Sequence, residues 1–433
     1  MIPISRYQRR RAQLAKAIGN GIAIIPTAPE RARNRDTHFQ YRFDSYFYYL
    51  TGFVEPEAVT VIVGGKSPKA ILFCREKDLT REIWDGYRYG PKAAQKAFAF
   101  DETYSVAKLD EMMPKLIANQ AALHFPLGAD AAWDTRIVGW INQVKAQVRS
   151  GVSAPAEIQD VCTVLDDMRL LKDADEIKTM RRAAAIASDA HRRAMQTTQP
   201  GMMEYQVEAE LVHEFRSRGS QAPAYTSIVA GGANACVLHY VENKDRLNDG
   251  DLLLIDAGCE LNGYASDITR TFPVGGKFSG AQRDVYELVL AAQAKAIDAV
   301  KPGVAFEAYH DAALRVLVRG MIDFKLCKGS VDKVIERGDY RQFYMHRTGH
   351  WLGLDVHDAG DYKKNGKSVK LAPGMVLTVE PGCYIRPAKN VPKAFWNIGI
   401  RIEDDVLVTK SGRDVLTNPP KSVRDIEAVM QRA

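Results

Sequence analysis

The sequence predicts two domains in tandem, an α/β layer followed by an α+β domain whose helices cover one side of a mainly antiparallel sheet. Three observations lead there. At 433 residues the chain is too long for one ordinary hydrophobic core. Its first third alternates short apolar runs with helical stretches. Beyond residue 172 the pattern changes to two helical stretches followed by paired strand-like runs punctuated by turn signals. Hydrophobic residues at 46% and charged residues at 26% suit a soluble globular protein and exclude a low-complexity or collagenous chain.

The N-terminus, MIPISRYQRRRAQLAKA, carries basic residues with no apolar h-region behind them, so no signal peptide is expected. No stretch approaches the roughly 20 apolar residues of a spanning helix, so no membrane partner is expected. The run Arg6 to Arg11 is assigned to the solvated face of a first helix over 11–18 and its approach. With a net charge of only +6, no aromatic interleaving and no recognised nucleic-acid module, nucleic-acid binding is not expected. GIAIIPT, AVTVIVGG, KAILFCRE and AALHFPL read as strands, and 133–148 as a helix. Six cysteines are scattered without CxxC spacing, which suits reduced thiols in the cytoplasm.

The domain boundary falls near 168–175, where Asp173 and Glu176 have the spacing of a capping box, giving domains of 1–172 and 173–433. Helices are expected over 174–197 and 203–218, from Ser279 onward, and over 304–320. The remainder is strand-rich.

Asn262-Gly263 in DLLLIDAGCELNGYASDITRTFPV is a strong hairpin signal. With those two residues as the turn, Leu261 faces Tyr264 and Asp256 faces Thr269. Asp267 then shares a face with Asp256 as its diagonal neighbour, about 7–8 Å away. Two carboxylates so placed converge on cations or repel each other; the ordinary alternative is a pair of strand-end residues. Asp256 follows the apolar run LLLI, where an unpaired carboxylate is costly.

Glu380 ends the run MVLTV at a sheet rim. In WNIGIRIEDDVLVT the isoleucines take one face, and Arg401 and Glu403 the other; Asp404 and Asp405 are assigned to a turn. The alternative for Arg401 and Glu403 is a surface ion pair. Asp256, Asp267, Glu380 and Glu403 together balance two divalent cations, and one histidine of HRTGHWLGLDVHD, a segment with three of the chain's nine, would add a nitrogen ligand. Such an oxygen-rich set suits Mn²⁺ or a similar first-row ion, with Zn²⁺, Co²⁺ and Fe²⁺ left open. His346 and His350 have the spacing of a zinc-protease helix, but no Glu follows His346, and Gly349 and Gly353 discourage a helix.

Taken in order, LLLIDAGCELNGYASDITRTFPVGGKFSGAQRDVYELVL, HRTGHWLGLDVHDAG, LAPGMVLTVEPGCYI and IGIRIEDDVLVT resemble the motifs of the pita-bread metallopeptidases, and specifically the aminopeptidase P family. The resemblance covers almost the whole chain. It implies a creatinase-like α/β N-terminal domain and a pita-bread catalytic domain with a curved, mainly antiparallel sheet. It implies metal ligands Asp256, Asp267, His350, Glu380 and Glu403, with Asp267 and Glu403 bridging two ions. His357 would stabilise the reacting carbonyl, His239 would contact substrate, Glu380 would handle the proton of the attacking water, and Arg401 would steady the ligands around Glu403. His346, Tyr225 and Tyr384 would line the pocket. RNRDTHFQYRFDSYFYYLTGFVEPEAV and REIWDGYRYG resemble the family's smaller domain, in which residues matching Trp84 and Asp36 reach a neighbouring subunit's pocket, implying a homotetramer or a smaller homo-oligomer.

The activity so implied is release of the first residue from peptides with proline second, by hydroxide held between two ions. Three rivals stand beside it. A prolidase would cleave only Xaa-Pro dipeptides. A creatinase-like hydrolase would dispense with metal, against which five intact ligand positions speak. A pita-bread binding protein without catalysis would have lost ligands that this chain keeps.

Overall fold

The computed structural model describes residues 2–431, which divide into two compact units, 2–169 and 170–431. The first is built on a six-stranded mixed sheet. Its spatial order is Glu102–Ser105, Lys69–Cys74, Val59–Val63, Ile22–Pro26, Ala122–Phe125 and Glu157–Asp160. The four expected strands are all present. Ile22, Ile24, Val61, Ile71 and Leu123 pack against Leu109, Met113, Ile137, Trp140 and Val144 from two helices, Leu109–Ile117 and Ala131–Lys145. The second of these begins where Asp130 accepts hydrogen bonds from the N–H groups of Ala132 and Trp133.

The first helix runs from Ile4 to Ala17 and absorbs the basic run, and the solvated face expected for that run is only partly correct. Arg10 and Arg11 are buried. Their guanidiniums donate to the carbonyls of Tyr49 and Leu50, near the C-terminus of helix Ser45–Thr51, and Arg11 also to those of Phe98 and Ala99. Arg10 lies over the Tyr49 ring and Arg11 over Phe100. Orphan helix-end carbonyls and aromatic faces satisfy a buried guanidinium, so the run is structural.

The second unit opens with helix Ala174–Thr197, where Asp173 and Glu176 form the capping box, followed by helix Glu204–Ser217. Its strands all pair antiparallel. Ile228–Gly231, Leu252–Asp256 and Thr269–Pro273 form one sheet, and Val376–Val379, Asp404–Val408 and Arg413–Val415 another. Gly382–Ile385 pairs with Ile398–Arg401. Helices Gly280–Ala299 and Glu307–Asp323 supply Val285, Val289, Ala292, Leu317 and Val318 to the main core, which also takes Leu253, Ile255, Ile398, Ile400 and Ile402 from the sheets. Alternation along the strands therefore leaves Leu254, Asp256 and Arg401 on the opposite side, away from those helices.

Asn262 and Gly263 both have positive φ and form the expected turn, with Leu261 opposite Tyr264 and Asp256 opposite Thr269. Yet the predicted single hairpin is divided between two sheets. Cys259–Leu261 pairs with Tyr264–Ala265 and with Ala222–Pro223, while Asp256 and Thr269 belong to the larger sheet. At the break a Cβ on Gly258 would lie 1.7 Å from the Ser266 carbonyl oxygen, so the backbones cross more closely there than any side chain permits.

Asp404 and Asp405 are not turn residues, as the sequence suggested, but open a buried strand. Asp404 is held by Arg270 (2.7 Å) and Lys421 (2.7 Å), and Asp405 receives the Asp267 N–H at 3.3 Å. Those cations come from distant parts of the chain and cannot be read locally.

Candidate active site

Short ladders aim the carboxylates. Asp256 is the last residue of its strand, and Asp267 lies in the extended link just before Thr269–Pro273. Glu380 follows Val376–Val379, and Glu403 sits between Ile398–Arg401 and Asp404–Val408. Residues 348–352 run beside Val376–Val379. The Glu380 N–H donates to the Thr348 carbonyl, the Thr378 N–H to that of His350, and the Leu352 N–H to that of Val376. A Cβ on Gly349 would meet the Thr378 carbonyl oxygen at 2.0 Å. The segment is thus extended rather than helical, as its glycines predicted.

The five expected ligands meet on one wall of a cavity of about 920 Å³, which His239, His346, His357, Tyr225 and Arg401 also line. Donor atoms of Asp267, His350 and Glu403 lie within 4.8 Å of one another. The Tyr225 hydroxyl is 2.6 Å from an oxygen of Asp256 and 2.6 Å from one of Asp267. His350 Nε2 is 3.4 Å from Asp267 and 3.8 Å from Glu380. Its Nδ1–H donates to the Trp351 carbonyl at 2.9 Å, which turns Nε2 toward the carboxylates.

Arg401 does not pair with Glu403, and the surface ion pair is ruled out. The buried guanidinium donates to Asp256 (2.6 Å), to the Thr269 hydroxyl (3.1 Å) and to the Tyr384 oxygen (3.0 Å). Thr269 in turn donates to Glu403 at 2.7 Å, so Arg401 steadies Glu403 through one intermediary. Tyr384 is not among the residues lining the cavity; it is buried behind His346 and donates to its Nε2 at 2.8 Å. His346 Nδ1–H donates to the Arg347 carbonyl.

Electrostatics follow from crowding negative charge in a buried place. Burial pushes Glu380 up to about 7, against the pull of His350 and Arg401. Burial raises Asp256, and burial with the neighbouring carboxylates raises Glu403 well above the usual range. Burial alone would raise Asp267 too, but the hydrogen bond from His350 holds it low. His350 shows the converse: burial would lower it, and Asp267 lifts it to about 9. Burial, then the charge of His350, lowers His357, and burial lowers His346 to about 3, so both are neutral at pH 7. The cluster thus recruits protons and an imidazolium to offset four carboxylates. That donor set, oxygen-rich with one imidazole, fits divalent cations.

Asp36 and Trp84 lie in the first unit and belong to no part of this wall. Asp36 is exposed, and Trp84, on helix Leu79–Asp85, is 80% exposed. Sequence reasoning missed the parts that act at long range. Thr269 appeared only as the register partner of Asp256. His310, which lines the cavity, shares the Thr348 hydroxyl with Tyr344 at 2.8 and 2.6 Å, and a lone histidine on a helix gives no local signal of that.

The profile of metallopeptidase family M24 matches residues 178–410, and that of the aminopeptidase P N-terminal domain matches residues 7–124. The chain is 43% identical to the Xaa-Pro aminopeptidase of Haemophilus influenzae, across 99% of this chain and 98% of that one. It is 42% identical to the Xaa-Pro aminopeptidase of Escherichia coli, across 100% and 99%. The structure of the aminopeptidase PepP from Pseudomonas aeruginosa superposes with a TM-score of 0.98 at 48% identity, covering 100% of this chain and 98% of that one.

Proposed function

The chain belongs to metallopeptidase family M24 and has the two-domain aminopeptidase P fold, and from that premise we propose that it is a metal-dependent Xaa-Pro aminopeptidase. The reading is carried by one observation: four carboxylates and a histidine meet in one cavity, in a chain similar to Xaa-Pro aminopeptidases over its whole length. The domain division adopted is 1–172 and 173–433, with the chemistry in the second.

Asp256, Asp267, His350, Glu380 and Glu403 would hold two divalent ions, with Asp267 and Glu403 contributing to both. When bound, such ions acidify water and polarise a carbonyl, supplying a nucleophile near neutral pH. Mn²⁺ is the ion we assign, from ligand hardness. Glu380 would take the proton of the attacking water and pass it to the proline nitrogen, acting first as general base and then as general acid. Neutral His357 donates a hydrogen bond to the carbonyl oxygen as charge builds there. His239 contacts the peptide, and His346, oriented by Tyr384, lines its path. Arg401 fixes Asp256 directly and Glu403 through Thr269. Tyr225 sets the spacing of Asp256 and Asp267.

Because proline supplies the leaving nitrogen, the scissile bond is a tertiary amide without N–H, and a site shaped for the ring needs no acceptor there. The free α-amine lies against the carboxylates, which makes the enzyme an exopeptidase. Trp84 and Asp36 reach a neighbouring copy's cavity in a homotetramer. Six free cysteines fit a reducing cytoplasm.

Arg-Pro-Pro and Ala-Pro, each incubated with the protein and resolved by mass spectrometry, test the assignment. Free arginine from the tripeptide is expected. Cleavage of the dipeptide alone would make the protein a prolidase.

A further inference from the structure

His239 sits on a stretch, residues 237–245, that has no helix or strand of its own. Its position must therefore be set from outside the loop. The carboxylate of Glu204, fully buried in the first turn of helix Glu204–Ser217, gathers that loop. One oxygen accepts from the Gly231 N–H at 2.8 Å and the Asn234 amide at 3.1 Å. The other accepts from the Tyr240 hydroxyl at 2.7 Å and the Asp245 N–H at 2.9 Å. These four donors lie before, beside and beyond His239, and Tyr240 is its chain neighbour. Asn243, buried with φ of 47°, ties the same loop to the sheet: its oxygen accepts from the Val229 N–H, and its amide donates to the Ser227 carbonyl.

A buried carboxylate is tolerated where donors fill its lone pairs, and each charged bond of this kind is stronger than a neutral one. A glutamine of the same shape would turn an NH₂ toward two of those donors, leaving the Asp245 or Gly231 N–H facing a donor. Loop geometry, more than the fold, depends on that carboxylate.

We infer that Glu204 is a positioning residue for the peptidase reaction, holding His239 against the bound peptide through Tyr240 and the loop backbone. It touches neither the peptide nor the metal ligands. The inference rests on His239 as a substrate contact.

The test is steady-state kinetics on Arg-Pro-Pro for Glu204→Gln, Tyr240→Phe and His239→Ala, and for each of the first two combined with the third. Glu204→Gln is expected to lower kcat/KM about tenfold, chiefly through KM, since small misplacements of a contacting group are costly. Tyr240→Phe should move it the same way by less. In the His239→Ala background either change should cost less than about twofold, because it acts through the missing ring. Wild-type kinetics in both single variants, or the full loss persisting without the imidazole, would overturn the inference. If Glu204→Gln fails to fold, the Tyr240→Phe cycle decides alone. Unchanged kinetics in His239→Ala itself would remove the contact on which the inference stands, and that failure is read from a separate variant.

Discussion

Around Glu380 the side chains have opposed demands: burial asks the carboxyl to stay protonated, while His350 and Arg401 ask it to ionise, and the balance falls at about 7. Bound cations would tip that balance toward the carboxylate, the form that accepts a proton from water. Glu380→Gln should therefore lose at least about 10³-fold in kcat while the protein stays folded, read by initial rates alongside circular dichroism. His357→Ala should cost about 10²–10³-fold in kcat with little change in metal content if, as proposed, it supplies one hydrogen bond to developing charge. An unchanged rate in either variant would remove that residue from the mechanism. At this scale the sequence was legible where chemistry is local, because a carboxylate directly after an apolar run announces itself. It was silent where compensation is distant. Asp404 looked like a turn because nothing near it in the chain reveals Arg270 or Lys421, and Arg10 looked solvated because the carbonyls it serves lie in another helix.

Elements set the register on which those residues depend. The crossing at Gly258 leaves no room for a Cβ, so Gly258→Ala should destabilise by at least about 3 kcal/mol, at the upper end of overpacking costs. That is a fall in melting temperature of about 6–12 °C for a domain of this size. A change of under 2 °C, by the rough scale that sets 1 kcal/mol at about 2–4 °C, would show that the strands separate freely. Helix Ala174–Thr197 carries fully buried His191, whose Nε2 lies 2.9 Å from the carbonyl of Ala257, next to Asp256. Burial lowers His191 to about 4, below its ordinary 6.5. The unfolded chain thus binds the extra proton first. Its contribution is complete above pH 6.5 and is lost as pH falls toward 4, on the order of 3 kcal/mol. Urea midpoints across that window should fall more steeply for wild type than for His191→Gln; parallel curves would exclude the effect. Helix caps and the Asn262-Gly263 turn were readable because each is encoded by a few adjacent residues. The split of the hairpin into two sheets was not, since it depends on Ala222–Pro223 arriving to pair with Cys259–Leu261.

At the scale of the whole molecule, the order of motifs along the chain was more informative than any one of them, because only a folded catalytic unit brings residues 256 and 403 to a common wall. Trp84, exposed on the first unit, belongs to the same scale. In a homotetramer Trp84→Ala should lower kcat/KM for tripeptides several-fold without altering metal content, whereas a chain active as a monomer should not notice the change; sedimentation of the same samples reads the assembly. The claim that joins the scales is that Asp256, Asp267, His350, Glu380 and Glu403 form a two-ion hydrolytic centre. Chelator-treated protein should be titrated with Mn²⁺ while bound ions per chain and arginine release from Arg-Pro-Pro are followed together, with Asp267→Asn in parallel. Activity rising only as about two ions bind per chain, and neither ion loading nor activity fully recovering in Asp267→Asn, is the predicted result. Undiminished hydrolysis without metal, or an Asp267→Asn protein that loads and turns over like wild type, would contradict it.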